Sequence, residues 1–581
     1  MFTTRPELAG TFGMVASTHW LASAAGMAVL ESGGNAFDAA AAVGFTLHVT
    51  EPHMNGPGGE VPAIFATAAD PTPRVLCGQG VAPAAATIAR FRDEGLDLVP
   101  GTGLLAATVP GAVGAWLTLL RDHGSKPLRE VLGYAIGYAE HGHPVAEAVV
   151  ATIETVEELF RTHWPTSGRR WLPTARPGEL VRNPALARTY RRLVDEAEAV
   201  GADREAQLDA ALRAWYEGFV AEELDAFCRT ELPDDSGTPH TGLLTGADLA
   251  AWRPGYEAPA SVEAYGWRVC KAGPWSQGPV LLQQLATMTA MGELPPPGSA
   301  ELIHRVVEVA KLSFADREAN YGDDPAVPLD HLLSPGYAAQ RAALVGETAA
   351  PPLRPGSGRL PRFVTEGTHV AATGLGIGEP TLSPLGTTRG DTCHLDVVDR
   401  WGNVVSATPS GGWLQSSPTV EPLGFCLGTR AQMFWLEEGL PNSLAPGKRP
   451  RTTLSPSLAV RDGAILSFGT PGGDQQDQWQ LGFFLNHAGH GMNLQEAIDA
   501  PSWHTTAFPS SFYPRATGTE LVVEARVDDA VLTELRRRGH DVTVVEPWSL
   551  GRLSAASRDA ATGILRAAAN PRGQQGYAAG R

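Results

Sequence analysis

The sequence predicts an α+β fold in which layers of helix pack on paired sheets. Three observations predict it. Amphipathic helical stretches dominate the chain up to Phe314, short apolar strands divided by turn residues follow from Cys393, and 43% of the 581 residues are hydrophobic, enough for a large core.

The first third alternates helical runs with glycine-rich turns. A helix is expected over residues 20–31, stopped by Gly33-Gly34, a second from about Ala36, and a turn over 52–59. The glycine runs SGGNAFDAA and NGPGGE match neither the GxxxxGKS/T nor the GxGxxG phosphate loop, and a helix C-cap accounts for the first pair. From Leu104 to about Phe314 the pattern is mainly helical, with AVVATIETVEELFRTHW and DREAQLDAALRAWYEGFVAEELDAF as amphipathic stretches that serve as scaffold. Residues 351–391, dense in Gly and Pro, read as a mobile strip. Strands are expected over 393–398, 404–408, 454–460 and 464–468, with DRWGN and VRDG as turns between them. A helix-strand section from Leu494 closes the chain.

Composition excludes several function classes. A formal net charge of −18 with no basic run argues against nucleic acid as a partner, because that affinity comes mostly from Lys and Arg on phosphates. The five cysteines (Cys77, Cys228, Cys270, Cys393, Cys426) lack CxxC spacing, so neither a zinc site nor a disulfide framework is signalled, and they read as reduced thiols. No cofactor or metal is implied. The start of the chain lacks signal-peptide features, and its apolar stretches fall short of the roughly 20 residues that span a bilayer, so a cytoplasmic protein without membrane contact is expected.

The stretch RGDTCHLDVVDRWGN places Asp391-Thr392 where the irregular strip meets a strand. A β-branched Thr favours strands and Asp suits a turn, which is explanation enough for the pair taken alone. A second reading starts from chemistry. A Thr hydroxyl becomes a competent nucleophile when a base stands beside it, and the α-amine of the same residue, freed by cleavage of the Asp391-Thr392 bond, is such a base.

DTCHLDVVDRWGNVVSAT, GKRPRTTLSPSLAVRDG and FGTPGGD resemble the γ-glutamyltranspeptidase family of N-terminal-nucleophile hydrolases, and SGGNAFDAAAAVGFTLHVTEPHMNGPGGE, ATVPGAVGAW and EVAKLSFADREANYGD follow its upstream pattern in order. The resemblance covers nearly the whole chain. It implies a four-layer αββα sandwich, cut at Asp391-Thr392 into a large subunit (1–391) and a small subunit (392–581) that together form one catalytic domain and possess the option of dimerising further. Thr392 would be both processing group and nucleophile. Ser410, in SATPSGGW, would be the second hydroxyl, where relatives usually carry Thr. Gly472 and Gly473 would supply the oxyanion N–H groups, glycine permitting close approach of substrate.

Departures from the family pattern bear on the substrate. Gln79 stands where relatives bind the glutamyl carboxylate with Arg, Thr452-Thr453 replace paired serines, and Met433, preceded by Gln432, occupies the place of the acid that meets the substrate amine. A neutral amide makes no bidentate ion pair, and each charge-assisted contact is worth about 1.5–3 kcal/mol, so losing two weakens glutamyl binding by orders of magnitude unless something replaces them. Arg430 is one candidate replacement; pairing with a surface acid is its plain alternative. The stretches SGGWLQSS, GGDQQDQW and PSSFYPR are expected to contribute to the pocket, with Trp413 and Trp479 reading as packing residues. His53, His394 and His504 form no metal set. The expected activity is self-processing amide hydrolysis of a small substrate through a threonyl acyl-enzyme, the acyl group passing to water or an amine. Alternatives are true γ-glutamyl transfer from glutathione-type donors, carbon–carbon acyl cleavage in secondary metabolism, and an unprocessed binding protein.

Overall fold

The computed structural model describes residues 2–367 and 392–581. Two seven-stranded sheets form its middle. The first runs Tyr577–Gly580, Gly13–Ser17, Leu395–Asp399, Val404–Ala407, Val61–Ala66, Arg74–Gly78, Gly255–Glu257 from edge to edge. The second runs Leu8–Gly10, Leu565–Ala569, Ser554–Asp559, Ala464–Gly469, Ser457–Arg461, Trp267–Lys271, Ala260–Ala264. Every neighbouring pair in both is antiparallel.

Side-chain alternation assigns the layers. Leu395 and Val397 point into a core shared with the helices Trp20–Glu31, Ala36–Thr50, Ala112–His123, Leu128–His141, Pro184–Glu198 and Arg204–Tyr216. Val398, Val404 and Ile64 instead meet Leu458, Ile465 and Ala556 of the second sheet. The far face of that sheet carries Leu466, Phe468 and Ala555 against Pro279–Ala290, Ala300–Asn320, Gln476–Phe484 and Leu494–Asp499. Helix, sheet, sheet, helix is the four-layer αββα order.

Two local devices hold the strand that follows Thr392. Asp399 closes the DRWGN turn, one carboxylate oxygen accepting from the N–H groups of Trp401, Gly402 and Asn403 at 2.9–3.0 Å, the other from Ala36 N at 2.9 Å. An acid is favourable at that helix N-terminus, and Asn35 completes it with a capping box to Asp38. Between the sheets, Gly469 lies against the ring of His394, where a Cβ would come within 2.2 Å of it.

The helices expected at 20–31 and from Ala36 and the four late strands are present, the latter as Leu395–Asp399, Val404–Ala407, Ser457–Arg461 and Ala464–Gly469. The early part of the chain holds more strand than the sequence reading assigns it. Gly13–Ser17, Val61–Ala66 and Arg74–Gly78 belong to the first sheet, and the stretch read as mainly helical contains Ala260–Ala264 and Trp267–Lys271. Gly13–Ser17 and Val61–Ala66 are buried along their whole length, so they lack the alternation that marks a strand. The strip expected over 351–391 is described only as far as Gly367, with a short helix at Arg362–Thr365; the rest of it, Asp391 included, lies outside the described residues. No helix among the described residues is long and apolar enough to cross a membrane.

Candidate active site

Thr392 and Ser410 face each other across an isolated bridge just ahead of the paired strands Leu395–Asp399 and Val404–Ala407. Their hydroxyls are 3.3 Å apart, and Cys393 N donates to Pro409 O at 2.9 Å beside them. Ser410 is pinned on its other side, its N–H donating to Glu60 O at 2.9 Å and its carbonyl accepting from Glu60 N at 2.8 Å. That approach explains the glycine before Glu60. A Cβ on Gly59 would stand 2.1 Å from the Ser410 carbonyl oxygen, so NGPGGE is a close-packing loop.

Arg430 completes the group. It starts the 3-10 turn Arg430–Met433, its Nη2 donates to Ser410 Oγ at 2.6 Å, its Nε is bonded to Glu60 Oε1, and its Nη1 lies 3.9 Å from Met433 Sδ. Its guanidinium carbon is 4.7 Å from the centre of the Trp413 ring, which donates from Nε1 to Met54 O at 2.8 Å. Among the described residues the acid paired with Arg430 is thus a buried one, Glu60 being 2% exposed, rather than a surface residue. Burial pushes the Glu60 carboxyl up against the downward pull of Arg430. Thr392, Ser410 and Arg430 are themselves at most 1% exposed.

The other positions singled out from the sequence divide. Gly472 (φ 130°) and Gly473 (φ 49°) both occupy conformations that favour glycine, and a Cβ on Gly472 would meet Trp479 at 2.1 Å, which makes Trp479 a packing residue over this loop. Thr452 bridges Ser276, and the buried Thr453 Oγ1 has no hydrogen-bond partner among the described residues. Gln432 is tied into the scaffold, its side chain bonding Gly101 O, Thr429 Oγ1 and Tyr513 N at 3.1 Å each. Gln79 donates to Gly80 O at 3.1 Å while its buried Oε1 lacks a partner among the described residues. His394 bonds Thr408 Oγ1 (3.0 Å) and Asp396 Oδ2 (3.1 Å), and burial lowers His53 and His504 to about 3, so none of the three is placed as a base.

Sequence reasoning missed Glu60, which it quotes only inside a glycine loop, and a buried ionic cluster beneath the glycine pair. There Asp474 accepts from Arg317 and Ser511, and Glu318 from Arg317 and Arg451. No spacing signals such pairs, whose members are 133–370 residues apart, apart from the adjacent Arg317-Glu318 and the pair Ser511–Asp474, 37 apart. Among the described residues His304, Glu308 and His540 have the side-chain atoms to hold a metal, but His304 is occupied by His540 Nε2 and Gly346 O at 2.8 Å each, and Glu308 is paired with Lys311.

Comparison with known proteins gives one consistent picture. The family described as Gamma-glutamyltranspeptidase matches residues 22–580. The chain is 31% identical to the glutathione hydrolase-like YwrD proenzyme of Bacillus subtilis, over 97% of this chain and 98% of that one. It is also 31% identical to the oxamate amidohydrolase proenzyme of Klebsiella pneumoniae, over 98% of each. A solved structure named LmbA2991HD is 61% identical and superposes with a TM-score of 0.94, each chain covered in full. The cephalosporin acylase of Bacillus halodurans superposes with a TM-score of 0.83 at 28% identity, over 100% of this chain and 97% of that one.

Proposed function

The chain belongs to the gamma-glutamyltranspeptidase family and is an N-terminal-nucleophile amidohydrolase of that kind, and from this premise we propose that Thr392 is its nucleophile and that its substrate is a small amide other than a γ-glutamyl one. The observation that carries the first part is the contact series Thr392, Ser410, Arg430, Glu60. Guanidinium is a donor only, so Ser410 Oγ accepts from it, and the same oxygen stands 3.3 Å from Thr392 Oγ. Processing begins when Thr392 Oγ attacks the carbonyl of residue 391. The resulting ester is hydrolysed, leaving subunits 1–391 and 392–581 and a free α-amine on Thr392.

In turnover the same oxygen attacks the substrate carbonyl while the α-amine takes its proton. The unperturbed pKa of such an amine, about 7.7–8.0, suits that transfer. The N–H groups of Gly472 and Gly473 meet the oxyanion, the amine portion leaves with the proton, and water or a second amine releases the acyl group. Against a glutamyl acyl group stand the uncharged Gln79 and Met433. For it stand the hydroxyls kept at Thr452-Thr453 and the name of the YwrD relative. Carbon–carbon acyl cleavage would pass through the same acyl-threonine.

The test is a gel and a donor panel. Purified protein should give two fragments, the smaller beginning at Thr392, and Thr392→Ala one uncut, inactive chain. Two fragments from the Ala variant would sink self-processing. Oxamate-, cephalosporin- and γ-glutamyl-type donors compared side by side should favour one of the first two; a clear preference for γ-glutamyl would overturn the substrate part.

A further inference from the structure

Positions 79 and 433, which the family resemblance matches to the relatives' ionic clamp, are uncharged here, and Arg430 is engaged by Glu60, Ser410 and Met433. A second buried cation, Arg515, meets the backbone of Met433. Arg515 lies at the end of the loop 509–515 with its backbone in the left-handed region at φ 63°, a conformation that costs a non-glycine residue about 1–2 kcal/mol. Its guanidinium carbon sits 3.5 Å from the centre of the Trp435 ring, and Nη1 donates to the Met433 carbonyl at 2.9 Å. The remaining edge, Nε and Nη2, is buried and has no hydrogen-bond partner among the described residues. Those two nitrogens present the parallel donors with which Arg takes a carboxylate in bidentate fashion.

The charges around it do not balance. Arg317, Arg451 and Arg515 share two acids, Glu318 and Asp474, and all five are at most 5% exposed. Glu318 Oε1 accepts from Arg317 and Arg451 at 3.0 and 2.7 Å, whereas its Oε2 is 3.7 Å from Arg515 Nη2, beyond hydrogen-bond reach. Asp474 is taken by Arg317 and Ser511. Burial, with Arg451 and Arg317 beside it, lowers the Arg515 guanidinium to about 9 against the upward pull of Glu318 and Asp474. Its enclosure does not set it apart from the reacting centre, since Thr392 is equally buried in the uncut chain. The cluster also touches each segment expected to form the acyl site: Asp474 follows Gly473, Arg451 precedes Thr452, and Arg515 holds Met433.

We propose that Arg515 is the specificity-determining residue of the acyl site, its Nε–Nη2 edge binding a carboxylate carried by the acyl group, so that the substrates are monoamides of small dicarboxylic acids. This rests on the threonyl acyl-enzyme reading above. The processed enzyme is assayed with the monoamides of oxalic, malonic, succinic and glutaric acid and with uncharged amides of matching length. The wild type should prefer its best carboxylated donor by about tenfold or more in kcat/KM, the scale of one charge-assisted bond. Arg515→Gln should abolish that preference through KM, and Arg515→Lys should restore part of it.

An acylated Thr392 peptide seen by mass spectrometry separates the two readings. Acylation without a carboxylate preference, or with one that survives Arg515→Gln, overturns the role of Arg515 alone; no acylation with any donor overturns the acyl-enzyme itself. A measurement on the wild type covers the case in which the variants fail to fold. Free dicarboxylates should compete with an uncharged donor at least about tenfold better than their diamides, and equal competition by both would refute the proposal.

Discussion

Replacing Ser410 by alanine removes one hydroxyl from a backbone that is held without it, by the paired bonds to Glu60 at 2.8 and 2.9 Å. That hydroxyl accepts from the Arg430 guanidinium at 2.6 Å and lies 3.3 Å from Thr392 Oγ. A hydrogen bond to a charged group is worth about 1.5–3 kcal/mol, and leaving a buried donor short of an acceptor costs about 1–3 kcal/mol. Stability should therefore fall by about 1–3 kcal/mol, more than a neutral hydroxyl contact would cause. Urea unfolding measures it best on one uncut chain, by adding Ser410→Ala to Thr392→Ala. In the active enzyme, an orienting bond made mainly in the transition state and worth about 1.5–3 kcal/mol corresponds to a loss of about ten- to a hundredfold in kcat, with kcat/KM falling alongside. Self-cleavage should slow as well, because the same oxygen faces Thr392 in both reactions. Ser410→Thr, which keeps the hydroxyl, should recover most of both rates. Kinetics in which KM alone rises while processing runs at its normal rate would refute the reasoning and move Ser410 into the binding pocket.

Two further predictions concern the acyl clamp and acid stability. Gln79→Arg combined with Met433→Asp should raise turnover of a γ-glutamyl anilide and lower that of the native substrate class; unchanged rates for both would show that these positions do not form the clamp. His19, His48, His53 and His504 are held neutral by burial, each lowered from 6.5 to about 3. The unfolded chain takes up these protons below about pH 6.5 while the folded one does not, so their contribution is complete above that pH and is lost as pH falls toward 3. Each histidine adds up to about 1.4 kcal/mol of slope per pH unit within that window. The urea midpoint should drop between pH 6.5 and 5, more gently in His504→Gln, and a flat profile across that range would count against it.

Local chemistry made part of this protein readable before folding. The helices at Trp20–Glu31 and Ala36–Thr50 are announced by the Gly33-Gly34 stop between them, and the strands around DRWGN by the turn between them, because such signals act over a few residues. Thr392 is legible from its place where the irregular strip meets a strand, and Ser410 through the family resemblance; the structure adds that the two stand at matching ends of one hairpin, 18 residues apart. Strands such as Val61–Ala66 escaped because burial on both faces erases their alternation.

The partners of the reacting groups belong to tertiary structure. Glu60 reaches Arg430 across 370 residues of chain, and Arg515 reaches Met433 across 82, over separations at which no spacing rule operates. Whether Arg430 meets a surface acid or a buried one, whether Gln432 faces substrate or scaffold, and which arginine keeps an open edge are decided by competition among donors and acceptors in a space closed to water. There each polar group must take the partner that packing brings within about 3 Å, and the identity of that partner is a property of the folded chain.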